Sequence, residues 1–290
     1  TPKPSSAASD VYKRQPQILR LEETYSARSL LPTDPVVGFL DHLIEDYGDE
    51  WVTKMMSHYR WHHTYVDAIA KAGNMLPLMS DNQMNPEQHR EIKDFITKRQ
   101  MNRTALVGST DQNRDVIEDS FIRLLTTLET HLTEHQFLLG SRPGRGDFGL
   151  FGQFSQLFFW EPDSSLLAAR QSPRSVIWAY QVDDLSSLEI SENEGGVTRN
   201  NLPESLLSLL TEIGRTYAPF LIANEQAIEA EEPELSCLIE GREYKQAPFA
   251  YQNKCLNWIR EAFRQLSADD QQAVAQILNG TGCEVLFADV

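Results

Sequence analysis

The chain is 290 residues long, 41% hydrophobic, and carries 42 acidic against 26 basic residues, a formal charge of -16 at neutral pH. That balance argues against nucleic acid or anionic membrane as partners, since both require clustered Lys and Arg to displace counterions. No apolar run approaches the roughly 18 residues of a bilayer-crossing helix, and the length suffices for one large hydrophobic core.

In chain order, the first fifteen residues, TPKPSSAASDVYKRQ, show neither helical nor strand periodicity and lack the apolar stretch of a secretory signal. SSAASDVYKRQ matches, codon for codon, the translation of a transposase-based sequencing adaptor. Residues 1–15 are therefore read as library sequence without defined structure, fused to a reading frame cut upstream. Residues 19–25 read as the end of a helix, broken by the prolines of RSLLPTDP, and a new start is expected at Thr33 or Asp34. One long helix is predicted from about 35 to 71, because Leu40, Ile44, Tyr47, Trp51, Met55, His58, His62, Tyr65 and Ile69 keep helical spacing while Phe39, Leu43, Val52, Met56, Tyr59 and Val66 supply a second apolar stripe. A loop, PLMSDNQMNPEQ, precedes a more polar helix over 85–101, and a third helix is expected over 111–134. Residues 140–146 read as a tight turn, with a strongly apolar helix starting at Asp147 whose stripe from Phe148 to Trp160 is core.

A helix opens at Pro173, a loop covers 191–201, and a long helix is predicted over 202–230 with a bend at Pro219. LSCLIEGREYKQ reads as a β-hairpin turning at Glu240 and Gly241. Helices over 251–266 and 269–278 close the chain. The expected class is mostly α with one small hairpin. Cys237, Cys255 and Cys283 have no CxxC or Cys/His zinc spacing, which suits buried small side chains in a reducing cytoplasm.

From Phe137 the chain reads F-L-L-G-x-R-P-x-x-x-D-F-x-L-F, which resembles the conserved centre of the all-helical carboxy-terminal domain of glutathione S-transferases. LRLEETYSARSLLPTDP, EDYGDEWVTKMMSHYRW, PRSVIWAYQVDDL and YQNKCLNWIREAF resemble a bacterial branch of glutathione S-transferase-like proteins with a long carboxy-terminal extension. The resemblance implies that residues 16–32 are the remnant of a thioredoxin-like domain and its linker, residues 33–200 the helical domain, and residues 201–290 the extension with its hairpin near 236–246. It implies a capping box between Gly144 and Asp147, with glycine where the family has Ser or Thr, so that one side-chain hydrogen bond is lost. It also implies glutathione as co-substrate, a small electrophile as substrate, a homodimer and a cytoplasmic location. The glutathione-binding elements and the thiolate-activating residue would all lie before residue 16, so no catalytic residue is assigned. The alternative is a non-catalytic protein that uses the same fold for binding or assembly.

The resemblance places the electrophile pocket along the first long helix and at the start of the sixth. His58, Tyr59, Arg60 and His62, with Trp61 and His63 beside them, form the densest chemical group there. A tyrosine or arginine can polarise a carbonyl, and a histidine can move a proton near neutral pH. In the structural reading of the same residues, Tyr59 and Trp61 are core aromatics with polar tips and Arg60 pairs with an acidic neighbour elsewhere on the bundle, such as Glu45, Asp46 or Asp49. His58, His62 and His63 have i, i+4 geometry but no third ligand nearby, so no metal is assigned. Glu45, Asp46, Asp49, Glu50, Asp183 and Asp184 are expected on a solvated face. GSRPGRG lacks the strand and helix context of a phosphate loop.

Overall fold

A computed structural model describes residues 14–25, 29–189 and 196–288. The expected leader thus lies outside the described residues up to position 13, and helix α1 (Arg14–Thr24) begins within its last two residues. Helix α2 (Pro35–Glu50) starts as its sequence suggests, with Pro35 in the first turn and the Asp34 carboxylate accepting from the Val36 N–H at 2.9 Å. Arg199 holds Asp34 and also Asp270 (2.6 Å), tying this helix start to α12 (Ala268–Leu278).

The single helix expected over 35–71 is three. Trp51 ends α2 and begins α3 (Val52–Trp61) in helical backbone, and the chain leaves the helix at His62, whose ψ is 136°. It resumes as α4 (Val66–Ser80), which runs through Pro77 into the predicted loop. Apolar periodicity does not register the interruption, because Tyr65 and Ile69 continue the same spacing on the far side. Helix α5 (Pro86–Met101) has a full capping box from Asn85 and Gln88, buries no residue completely, and lies on α4 where Gly73 leaves room for Thr97. A short 3₁₀ turn (Thr104–Val107) leads to α6 (Arg114–His131).

Helix α7 (Arg145–Phe159) is the buried centre, followed by α8 (Pro162–Gln171), which the sequence does not announce, and α9 (Pro173–Asp183). It crosses α2 at backbone contact: a Cβ on Gly149 would stand 2.8 Å from the Glu45 carbonyl, and one on Gly48 2.8 Å from the Gly149 backbone. Glycine is required there because two main chains occupy the space a methyl group would need. Helix α10 (Glu204–Glu229) continues unbroken through Pro219. Strands β1 (Leu235–Ile239) and β2 (Arg242–Gln246) form the expected hairpin, pairing Leu235 with Gln246 and Ile239 with Arg242. Both turn residues, Glu240 (φ 51°) and Gly241 (φ 73°), adopt the left-handed region that the tightest hairpin turns demand. Buried Tyr244 packs its ring 5.7 Å from Trp51 and 5.8 Å from Phe220.

Helix α11 (Ala250–Arg264), α12 and a 3₁₀ turn (Cys283–Phe287) complete the chain. One hydrophobic cluster extends from Val36 to Leu286, so the segments before and after residue 201 share a core. Among the described residues, no helix is long and apolar enough to cross a membrane. The expected acidic face is partly inside: Glu45 is fully buried, and Asp46 is buried with its carboxylate accepting from Tyr217 Oη at 2.6 Å. These carboxylates lie on the stripe of α2 that faces α7 and α10. Sequence charge alone does not reveal this, because their partners are far along the chain.

Candidate functional site

The last turn of α3 and the non-helical residues after it carry most of the predicted pocket. His58 is fully buried, with Nδ1 2.8 Å from Ser109 Oγ and Nε2 3.2 Å from Glu118 Oε1. Glu118 also accepts from Tyr65 Oη at 2.8 Å. Burial opposes ionisation of Glu118, but the hydrogen bonds from His58 and Tyr65 outweigh it and hold the carboxyl below its ordinary value. Tyr59 is buried, its ring 5.1 Å from Phe121 and 4.8 Å from Tyr65, and burial raises its phenol well above the usual range.

His62 is 3% exposed and its Nδ1 lies 2.9 Å from Thr64 Oγ1. Burial first, then the neighbouring His58 and His63 rings, lower its pKa to about 4, so it is neutral at pH 7. His58, Tyr59 and His62 are therefore buried at the end of α3, His58 and Tyr59 against α6. Of the four predicted pocket residues, Arg60 borders an open cavity.

Arg60 is paired, but not with the acids of its own helix run. Its Nε donates to Glu161, which is buried after α7, its Nη2 donates to Gln156 Oε1 at 2.9 Å, and the guanidinium stands 5.9 Å from the Trp160 ring centroid. Glu45 and Asp46 lie on the order of 20 Å back along the helix axis, out of its reach. Arg60 borders a cavity of about 470 Å³ between α3, α5, the 3₁₀ turn and the loop after β2, with Trp61, Gln100, Arg103, Leu106 and Phe249 on its walls. That volume suits a small molecule, and two guanidinium groups among apolar walls suit one that is partly apolar and carries negative charge.

The other predicted feature, the start of α7, lies about 25 Å from the His58 turn along α2 and α3. The two do not form one pocket. Fully buried Asp147 reaches back with Oδ2 to the Gly144 N–H (2.9 Å) and with Oδ1 to the Leu138 N–H (3.0 Å). Burial raises its pKa to about 7, against the two backbone hydrogen bonds that favour the ion. The hydrogen bond expected to be missing at Gly144 is replaced from another helix. Asp41 of α2, fully buried, accepts from the Arg145 N–H at 2.9 Å and the Gly146 N–H at 2.8 Å. A Cβ on Gly144 would stand 2.7 Å from Asp41 Oδ1, so glycine here admits the cap of a neighbouring helix.

Lys54 is a buried base that the sequence reading leaves unremarked, hidden by its place in the apolar stripe of α3. Its Nζ donates to Gln246 Oε1 at 2.7 Å and lies 4.1 Å from the Phe220 ring centroid, and burial lowers its pKa to about 7. The thiols are poor nucleophiles at neutral pH, since burial raises Cys237 to about 11, Cys283 to about 12 and Cys255 further still.

No family model, no curated protein and no solved structure matches the chain.

Proposed function

We propose that the chain is the helical part of a glutathione S-transferase-like protein that joins glutathione to a small electrophile, or reduces one with it. In this reading glutathione is held by a thioredoxin-like domain that the resemblance places before residue 16, and the whole protein is a cytoplasmic homodimer. The observation that carries the reading is the start of α7. There a buried helix under the F-L-L-G-x-R-P turn is capped by an acidic residue three positions in, the feature the resemblance implies; the clasp by Asp41 of the first long helix is additional to it. The electrophile fits the cavity beside Arg60 and Arg103 better than the turn carrying His58, Tyr59 and His62, because those three side chains are buried and the cavity offers cations to an electron-rich leaving group or carboxylate.

The test is retention on immobilised glutathione, with thiol conjugation measured alongside, for the natural full-length product and for this chain alone. The full-length product is expected to bind and turn over an electrophile, and the present chain to pass through the matrix. Failure of the full-length product to bind would overturn the reading. A second reading, a non-catalytic protein of the same fold, is favoured by one observation: Asp41, Asp147 and Glu212, all buried carboxylates, are engaged by backbone N–H groups or by arginine. Binding of glutathione without turnover would select it.

A further inference from the structure

Where the chain leaves α3, three side chains of metal-ligating type converge: His62 and His63, consecutive in sequence, and Asp111 from the turn before α6. One ligand atom from each lies within 4.8 Å of the others. His62 Nε2 is buried and makes no hydrogen bond, although Asp111 Oδ1 stands 3.3 Å away. A buried ring nitrogen that faces a carboxylate without bonding to it is costly unless something else completes it. His63 Nε2 is 2.7 Å from the same oxygen, and both of those groups are exposed.

We propose that His62, His63 and Asp111 bind a divalent transition-metal ion of the zinc type, with the remaining position open to water. Two imidazoles and one carboxylate are a donor set that such ions favour over magnesium or calcium, which take oxygen. The spacing agrees with the chemistry. Ligands at about 2.0–2.1 Å from a tetrahedral ion stand roughly 3.3 Å apart, which the His62–Asp111 pair already meets. The His63–Asp111 pair must open by about half an ångström from its hydrogen-bonded distance, which is easy for side chains 63% and 72% exposed. The second coordination sphere is in place: Nδ1 of His62 lies 2.9 Å from Thr64 Oγ1 and 3.5 Å from the Thr64 N–H; in the tautomer that donates to Oγ1, the Nε2 lone pair faces the ion. The ion would pin the break between α3 and α4 to the loop ahead of α6. This site does not depend on the glutathione reading.

The experiment is calorimetric titration of zinc chloride into the purified chain after EDTA treatment and desalting, repeated with cobalt for the visible absorption of a tetrahedral complex. Binding of one ion per chain, a cobalt spectrum and a zinc-dependent rise in melting temperature are expected. His63→Ala and Asp111→Asn, both exposed positions, should each weaken the affinity at least tenfold and abolish the melting shift, while the control His89→Ala, whose half-buried ring meets the Asn74 carbonyl on α4, should leave the stoichiometry, the affinity and the zinc-dependent shift unchanged. Absence of saturable binding at one equivalent would overturn the proposal. So would an affinity unchanged in either variant, which would place the ion on other groups.

Discussion

The run of α2 and α3 has a polar cluster at each end, and the Asp41 and Asp147 carboxylates at one differ from His62 at the other in what meets the buried polar atoms. At the α7 end, the four carboxylate oxygens of Asp41 and Asp147 each accept one backbone N–H. At the His58 end, a buried ring nitrogen of His62 has no hydrogen bond and its nearest acid is exposed. A buried polar group saturated by backbone donors is part of the folding of the chain, because removing it strands those donors away from water. One left unsaturated at a surface has capacity for something from outside. The first end should therefore be sensitive to mutation and inert chemically, and the second the reverse.

The largest effect is expected from Asp41→Ala. It strands the N–H groups of Arg145 and Gly146 and removes a negative charge beside the Arg145 side chain, at a cost of about 3 to 4 kcal/mol. Urea denaturation followed by circular dichroism measures it, and a loss below about 1 kcal/mol would show that the neighbouring cap is dispensable.

Asp147→Ala should follow closely, at about 2 to 3 kcal/mol, since it unpairs the Leu138 N–H as well as the Gly144 N–H. Its dependence on pH is a sharper check. The carboxyl titrates at 3.8 when unfolded and at about 7 when folded, so between those values the folded protein binds the extra proton. The contribution of this group to stability is then complete below about pH 4 and lost as pH rises through 7. The advantage of the native chain over the variant should be larger at pH 5.5 than at pH 7.5. Equal advantages at the two values would mean that Asp147 is ionised in both.

A smaller change separates the family pattern from the local geometry. Serine at position 144 is what the resemblance would supply as a helix cap, normally a gain of a few tenths of a kcal/mol over glycine. Here its Cβ would meet Asp41 Oδ1 at 2.7 Å, and Gly144→Ser should instead lose about 1 to 2 kcal/mol. A raised melting temperature would show that Asp41 yields easily.

The same contrast explains what the sequence discloses. The hairpin is legible because Glu240 and Gly241 separate two short runs, and the start of α2 because Asp34 and Pro35 stand together; both depend on near neighbours. The buried start of α7 is legible from the spacing of Gly144 and Asp147. Its second cap is not, since Asp41 lies 105 residues from the Gly146 N–H it binds. Arg60 and Glu161, 101 residues apart, escape for the same reason. The break after Trp61 is invisible for another cause: hydrophobic spacing continues in phase across it, while the backbone leaves the helix at His62 and resumes it only after Tyr65. Asp111 is therefore no neighbour of the histidines until the helices have packed.

The smallest expected effect lies at that break. His63→Ala removes an exposed ring whose hydrogen bond goes to an exposed carboxylate, a surface interaction worth a few tenths of a kcal/mol. In metal-free buffer its unfolding free energy from urea denaturation should therefore match that of the native chain within about 0.5 kcal/mol. A loss as large as that of Asp147→Ala would mean that His63 holds the turn between α3 and α4 as firmly as the carboxylates hold α7, and the distinction between a saturated end and an open end would fail.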